Sequence, residues 1–412
     1  MATVRPFAAV RPAKEYADRV VSLPYDVMNR NEAADMAEGN PYSFLRICRS
    51  EIELPLQENP YDRQVYEKAR DNIEDFIKRG IMIREEKPML YIYRQIMDGR
   101  IQTGIVGCVS IDEYLDDTIK KHEFTRIEKE LDRINHFDVC NANTEPVFLT
   151  YRDEKDLRTL LENWIEGHEP EYDFITEDGI GHLLWIIDDD GVVASIRRQF
   201  EGISDLYIAD GHHRSASAVK VGLKRREENP GYTGDEEFNF FMAVIFPDRD
   251  LKIFDYNRVV KDLNGLTEKG FLDVLEKVFI IEDVGEKSCL PERKHMFSMY
   301  LPPKWYKLTV RDEFIKEDPI KGLDVSILQD NVLGPVLGIK DPRIDNRIDF
   351  VGGIRGLEGL IDRVREDMKV AFALYPVSIS DLLAVSDAGL VMPPKSTWFE
   401  PKLGSGLFIH SL

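Results

Sequence analysis

Apolar residues recur every three to four positions across residues 62–79, DRQVYEKARDNIEDFIKR. Val65, Ala69, Ile73, Phe76 and Ile77 then share one face, and Gly80 follows as a stop, so the spacing predicts an amphipathic helix. EAADMAEGN predicts a shorter helix ended by Gly39. The pattern changes at MLYIYRQIMDGRIQTGIVGCVSI, where two apolar runs flank Asp98-Gly99 and predict a β-hairpin. A polar loop leading into a helix follows over DEYLDDTIKKHEFTRIEKELDRINHFDVCNAN. EPVFLTYRD reads as a strand, and EKDLRTLLENWIEG as a helix with Leu157, Leu160, Leu161 and Trp164 inward. HLLWIIDDDGVVASIRRQF reads as a second hairpin about an Asp-Gly turn. DLYIADGHHRSASAVKVGLKRREEN is strand, corner and helix, and FMAVIFPDRDLKIFDYNRVV adds one or two strands.

Beyond residue 265 the pattern is again mixed. Helices are expected at 268–279, 325–338 and 356–368, a buried strand at VAFALYP, and a helix at SISDLLAVSDAG. The fold class is α+β with mixed sheets. The expected division is 1–110, 111–265 and 266–412, with no repeat or low-complexity linker to mark it.

A length of 412 residues suggests two domains, or one with an elaborated subdomain. The formal net charge of −21 argues against general nucleic-acid binding and against a polybasic membrane surface, while leaving room for a local basic pocket. Cys48, Cys108, Cys140 and Cys289 lie far apart without a CxxC, which suggests neither zinc nor a disulfide framework and points to a reducing cytoplasm. The N-terminus lacks the apolar core of a signal peptide, and no run of eighteen apolar residues predicts a membrane span. A homo-oligomeric state is left open.

Chemistry concentrates at three places. At the strand-to-helix corner, Asp210-Gly211-His212-His213-Arg214, the helix start offers unpaired N–H groups and a positive dipole end. Gly211 allows a tight turn, Arg214 a planar fork for phosphate oxygens, and His212 and His213 further donors. Asp210 suits a divalent cation, the orientation of a histidine, or a plain helix cap. In IKKHEFTRIEKELDR, the residues Lys120, Lys121, His122, Glu123, Thr125 and Arg126 crowd before a helix. Glu123 there suits a general base, and the cluster equally suits a solvated helix start; HExxH is absent. In MPPKSTWFEPKLGSG, Lys395, Ser396, Thr397 and Lys402 supply cations and hydroxyls without a Walker frame, and Trp398 and Phe399 suit core or pocket floor. Asp26 in LPYDVM and Asn40, Ser43 and Arg46 in NPYSFLR also suit plain turns, as does GGIRG.

Over essentially its full length the chain resembles a bacterial family described as domain of unknown function 1015, through LPYDVM, NPYSFLRI, KKHEFT, ELDRI, YIADGHHRSASA, FDYNRVV and MPPKSTWFEPKL. It is also similar, more distantly, to archaeal free-serine kinases. These carry a His-Glu pair resembling His122-Glu123, an Asp-Gly-His-His-Arg corner matching Asp210–Arg214, and a C-terminal segment matching Gly389–Thr397. That resemblance implies a ParB/sulfiredoxin-like core elaborated by N- and C-terminal α/β segments, and a phosphotransferase with an alcohol acceptor, free L-serine. It implies Glu123 as general base and Asp210 as a positioning or metal-facing residue. Gly211, His212, His213 and Arg214 would cradle phosphate, Lys395, Ser396 and Thr397 would close the pocket, and His122, Thr125 and Arg126 would face the acceptor. The donor is ATP, ADP or pyrophosphate, with Mg2+ expected to bridge its phosphates. The chain departs from the kinases by about a hundred extra residues before the His-Glu loop and a long insert after it. A ParB-like nucleotide-binding switch without phosphotransfer is the alternative reading. Sulfiredoxin-type chemistry lacks a dedicated cysteine in these clusters, and a plain scaffold leaves the polar clusters unexplained.

Overall fold

The computed structural model describes residues 1–55 and 59–412. They fall into two compact units, Met1–Leu251 with Pro401–Leu412, and Lys252–Glu400. Both combine helices with mixed or antiparallel sheets, so the class is α+β.

The first unit is built on an eight-stranded mixed sheet. Its strands are β1 Leu90–Met97, β2 Arg100–Ser110, β3 Ile119–Lys120, β4 Val147–Tyr151, β5 Tyr172–Ile175, β6 Gly181–Ile187, β7 Leu206–Asp210 and β8 Phe240–Pro247, in spatial order β3-β7-β4-β8-β2-β1-β6-β5. β7 runs parallel to β3 and antiparallel to β4, while β8 runs parallel to β4 and antiparallel to β2. β4 is buried along its whole length, as a central strand covered on both faces must be. The β1–β2 turn is the expected Asp98-Gly99, both residues at positive φ, the geometry a two-residue hairpin of primed type demands.

Ile92, Ile105, Leu149, Ile208, Val219 and Ile245 are among the residues of the main core of this unit. A second core packs the N-terminal segment: Val20, Tyr25, Phe44, Ile47 and Phe76 join Ile409 of the C-terminal segment. Helix Arg30–Ala37 begins on a capping box of Asn29 and Glu32, and helix Arg63–Lys78 buries the predicted face of Val65, Ala69, Ile73 and Phe76. Gly39 and Gly80 both take positive φ where these helices were expected to stop. Ile409 and Val10 exchange backbone hydrogen bonds of 2.8 and 2.9 Å, which seats the end of the chain in this unit.

The second half of the expected hairpin at 182–200 is a helix, Asp190–Glu201. Asp189 accepts the amide of Val192 and caps it, so the Asp-rich run starts a helix and does not turn a hairpin. Val192, Val193, Ile196 and Phe200 pack at helical spacing against the main core.

The expected boundary near 110 falls at the end of β2, whose partner β8 comes from far beyond it. The one near 265 falls inside the second unit. Strand pairing across both positions ties together what composition left undivided.

The second unit carries a six-stranded antiparallel sheet of β9 Tyr256–Val260, β10 Phe279–Gly285, β11 Met296–Leu301, β12 Lys304–Val310, β13 Ile348–Gly352 and β14 Val370–Leu374 in the order β10-β12-β11-β14-β9-β13. Helix Gly356–Glu366 packs Leu360 and Val364 against Val259, Val351 and Ala371. Among the described residues, no helix is long and apolar enough to cross a membrane.

Candidate functional site

The corner sits where β7 ends and helix His212–Glu228 begins. A register shift between Ile208 and Asp210 against β4 interrupts the ladder at the last residues of the strand and re-aims Asp210. Gly211 then takes φ 96° and ψ 30°, a left-handed conformation that turns the chain into the helix. A Cβ on Gly211 would stand 3.2 Å from Cζ, Nε and Nη2 of Arg214, so the guanidinium occupies the space a side chain would need.

Arg214 is 2% exposed. Its Nη1 donates to the Pro146 carbonyl at 2.6 Å, just before β4, while its Nε has no hydrogen-bond partner among the described residues. Burial works against its charge, but Asp26, Asp210 and Glu145 outweigh burial and hold its pKa above the ordinary value. The fork is therefore turned inward, and its positive charge acts on the corner from below.

Asp210 keeps about a third of its side chain exposed. Oδ1 accepts the Gly211 N–H at 2.8 Å, and Oδ2 pairs with Lys402 Nζ at 3.0 Å. Burial would raise this carboxyl, yet Lys402 and Arg214 hold it well below the ordinary range. Both oxygens are thus engaged. Among the described residues, no group of three His, Cys, Asp or Glu side chains gathers closely enough to hold a metal ion. The donor set around Asp210 does not fit a protein-held magnesium.

The His-Glu loop meets the corner. The ring of His122 lies edge-on to that of His212, with centroids 4.5 Å apart, and the His122 amide points at His212 Nε2 at 3.4 Å. Glu123 Oε2 stands 3.8 Å from His212 Nδ1 and keeps 42% of its side chain exposed. The Arg126 amide donates to His213 Nε2 at 2.9 Å. Thr125 Oγ1 donates to Glu130 Oε2 at 2.7 Å, Glu130 also pairs with Lys220, and Ser217 Oγ donates to the Glu130 carbonyl at 3.0 Å. Loop and corner helix are therefore fastened at several points.

All three site histidines are kept neutral. Burial holds His122 well below the ordinary range, lowers His212 to about 3 despite Asp210, and lowers His213 despite Glu123 and Asp26. His122 is 2% exposed, and among the described residues neither ring nitrogen has a hydrogen-bond partner of ordinary geometry.

A layer beneath the corner was not singled out by sequence reasoning. Glu145, 1% exposed, accepts the Tyr25 amide at 3.2 Å and the Ser405 hydroxyl at 3.0 Å through Oε1, and Oε2 lies 3.5 Å from Arg133 Nη1. Arg133 is also clamped by Asp132 at 2.8 and 3.0 Å and lies 3.9 Å over the Tyr25 ring. One signal was available: Glu130, Arg133, His136 and Phe137 share the buried face of helix Ile127–Cys140, and three of the four are polar. Asp26, read as a plain turn residue, is exposed in a short helical turn and still acts electrostatically on Arg214 and His213.

Of the remaining sequence candidates, Asn40, Ser43 and Arg46 serve local structure. Arg46 donates to the carbonyls of Asn40 and Ala37, each at 3.0 Å. Lys395, Ser396 and Thr397 belong to the second unit. Lys395 is exposed at φ 59°, its Nζ 5.4 Å from the Tyr256 ring centroid, and Ser396 Oγ donates to the Pro393 carbonyl at 2.6 Å. A shallow depression of about 460 Å³ in the same unit is bordered by solvated charges such as Lys261, Glu268 and Lys369 and holds none of the sequence candidates.

A search of the curated proteins finds no match. Several solved structures are similar. A free serine kinase in complex with AMP is 15% identical with a TM-score of 0.37, covering 73% of this chain and 92% of its own. SbnI with C-terminal truncation from Staphylococcus aureus is 10% identical with a TM-score of 0.40, covering 74% and 87%. A conserved hypothetical protein from Pyrococcus furiosus is 13% identical with a TM-score of 0.35, covering 74% and 95%. The match that decides membership is to a family profile, which spans residues 4–326 and includes the His-Glu loop and the corner. The chain belongs to the family described as proteins of unknown function, DUF1015.

Proposed function

We propose that this protein is a small-molecule kinase that phosphorylates the hydroxyl of free L-serine, taking the phosphoryl group from ATP, ADP or pyrophosphate. The observation that carries the reading is the approach of Glu123 to His212, two residues far apart in sequence, at 3.8 Å beside the first turn of the corner helix.

In this reading a phosphoryl group rests at the start of that helix, where open amides and the dipole favour an anion and Arg214 adds positive charge from below. Glu123, solvent-reachable and ionisable, takes the proton from the acceptor hydroxyl. The acceptor oxygen forms a bond to phosphorus as the bond to the bridging oxygen breaks, and the electron pair leaves with AMP, ADP or phosphate according to donor. Such a step needs positioning and charge compensation more than covalent help from the protein. Neutral His212 and His213 donate or accept hydrogen bonds at the reacting oxygens without adding charge. Buried His122 and the loop residues Thr125 and Arg126 border the acceptor. The strand–corner–helix unit is, in the same reading, a ParB/sulfiredoxin-like core.

The test is to incubate the protein with L-serine and each donor, with Mg2+ present, and to follow phosphorus NMR. O-phosphoserine formation with at least one donor is the expected result. Donor binding without transfer to any hydroxylated amino acid would replace the kinase with a nucleotide-binding switch.

A further inference from the structure

Arg11, Arg133, Arg214 and Arg258 are the buried arginines among the described residues, none more than 6% exposed. The first three have acidic company. Arg11 pairs with Glu85 and Glu171, Arg133 with Asp132 and Glu145, and Arg214 feels Asp26, Asp210 and Glu145. Each of these three has its pKa held above the ordinary value. Arg258, 3% exposed, pairs with no carboxylate among the described residues, and burial lowers its pKa to about 10. Its Nη1 donates to the Tyr256 carbonyl, its Nη2 reaches the Pro394 carbonyl at 3.4 Å, and its Cζ lies 5.3 Å from the Phe350 ring centroid. Two carbonyls and a ring leave the net charge of the guanidinium unanswered, which is costly in an interior.

Its place in the fold adds a second cation. Arg258 sits in the middle of β9, opposite Phe350 of β13 and Phe372 of β14. Val259 turns to the face covered by helix Gly356–Glu366, so Arg258 and Tyr256 share the other face. The segment 393–399 packs against this end of β9. Trp398-Phe399 pairs with Ile253-Phe254, and the Trp398 ring meets that of Tyr256 edge-on at 5.1 Å. At the turn of the segment Lys395 takes φ 59°, a left-handed conformation unfavourable for a residue with a Cβ. Its Nζ stands 5.4 Å from the Tyr256 ring centroid and, among the described residues, pairs with no carboxylate. In a chain of net charge −21 carboxylates are in excess, so two cations that meet at one tyrosine without one mark a place kept clear of them.

We infer that Arg258 anchors an oxyanion-binding site in the second unit, with the carboxylate or phosphate group of a small ligand as its counter-ion and Lys395 as its outer contact. The site uses no residue of the His-Glu loop or the corner and does not depend on the kinase reading. The ligand oxygens replace the Pro394 carbonyl, whose 3.4 Å contact is long for a hydrogen bond, and take parallel N–H donors of the guanidinium fork. The buried charge thereby gains the counter-ion that the other three arginines draw from the chain itself.

The experiment is arginine side-chain nitrogen–proton NMR on the full chain, titrated with inorganic phosphate and, separately, with acetate. The Arg258 Nε–H resonance is assigned by its absence from Arg258→Met, or from Arg258→Lys if the first variant does not fold. A saturable shift of that resonance with at least one of the two anions is expected, and the anion that binds more tightly names the ligand group. Lys395→Met, a change at an exposed side chain, is expected to weaken the same titration at least threefold. No shift with either anion overturns the inference and leaves the kinase reading standing. A shift whose midpoint is unchanged in Lys395→Met places the anion elsewhere and overturns it as well. Absence of O-phosphoserine in the assay above bears on the kinase reading alone.

Discussion

Replacing Gly211 by alanine tests the geometry on which the corner depends. The residue holds φ 96° and ψ 30°. An alanine forced into left-handed backbone costs about 1–2 kcal/mol. The new Cβ would also meet three atoms of the Arg214 guanidinium at 3.2 Å, tighter than ordinary contact, and that side chain is 2% exposed with little room to retreat. Moving it threatens the 2.6 Å hydrogen bond to the Pro146 carbonyl. A hydrogen bond from a charged donor contributes about 1.5–3 kcal/mol. If the guanidinium yields and keeps that bond, the loss is the strain alone; if the bond breaks, the total reaches about 3–5 kcal/mol. The packing places the expected loss between these, at about 2–4 kcal/mol. Urea unfolding followed by circular dichroism measures it. Gly211→Asn separates the two causes, since asparagine tolerates positive φ but carries the same Cβ. A loss below about 0.5 kcal/mol for Gly211→Ala would refute both the left-handed turn and the packing of Arg214 beneath it.

Acid should destabilise the fold above the range in which ordinary carboxylates titrate. His136 and His212 are lowered to about 3 and His182 to about 4, in each case by burial. An unfolded histidine titrates near 6.5, so the unfolded chain binds more protons below that pH; the stability is complete above pH 6.5 and is lost as pH falls toward 3–4. At pH 5 each of the three costs about 2 kcal/mol, read as a fall in the urea midpoint between pH 7 and pH 5; an unchanged midpoint contradicts the neutral buried state. Glu145→Ala removes the acceptor of the Tyr25 amide and the Ser405 hydroxyl and one partner of Arg133. Removing one partner of a buried pair costs about 3–5 kcal/mol, and because Asp132 still holds Arg133 the lower end is expected in thermal or urea unfolding; a loss under about 1 kcal/mol would show that the layer does not carry load.

What the sequence made legible follows from the range of the interactions involved. Helix Arg63–Lys78, the Asp98-Gly99 hairpin and the strand–corner–helix are set by local periodicity and turn chemistry, and all three were readable. Asp-Gly at 190–191 misled because the same residue types start a helix or turn a hairpin; the apolar spacing of Val192, Val193, Ile196 and Phe200 was the better guide. The division into units was not readable, because the chain leaves the first unit after Leu251 and returns at Pro401. No local signal encodes that return. The same applies to the site. Residues of the His-Glu loop and the corner announce themselves by clustering. Glu145, Arg133 and Ser405 are single polar residues whose meaning appears only when three distant segments come together. Lys402 was visible as a cation near the C-terminus, but its partner Asp210 was not.

In the proposed phosphoryl transfer Glu123, brought to the corner by the loop, takes the acceptor proton. This step is tested most directly by single-turnover formation of O-phosphoserine, comparing the wild type with Glu123→Gln at donor concentrations that saturate both. Product is expected from the wild type, with a loss of about 10²–10⁴-fold in the variant and donor binding within a few-fold of the wild type. Product formation at the wild-type rate by Glu123→Gln, or none from the wild type with any donor, would contradict it.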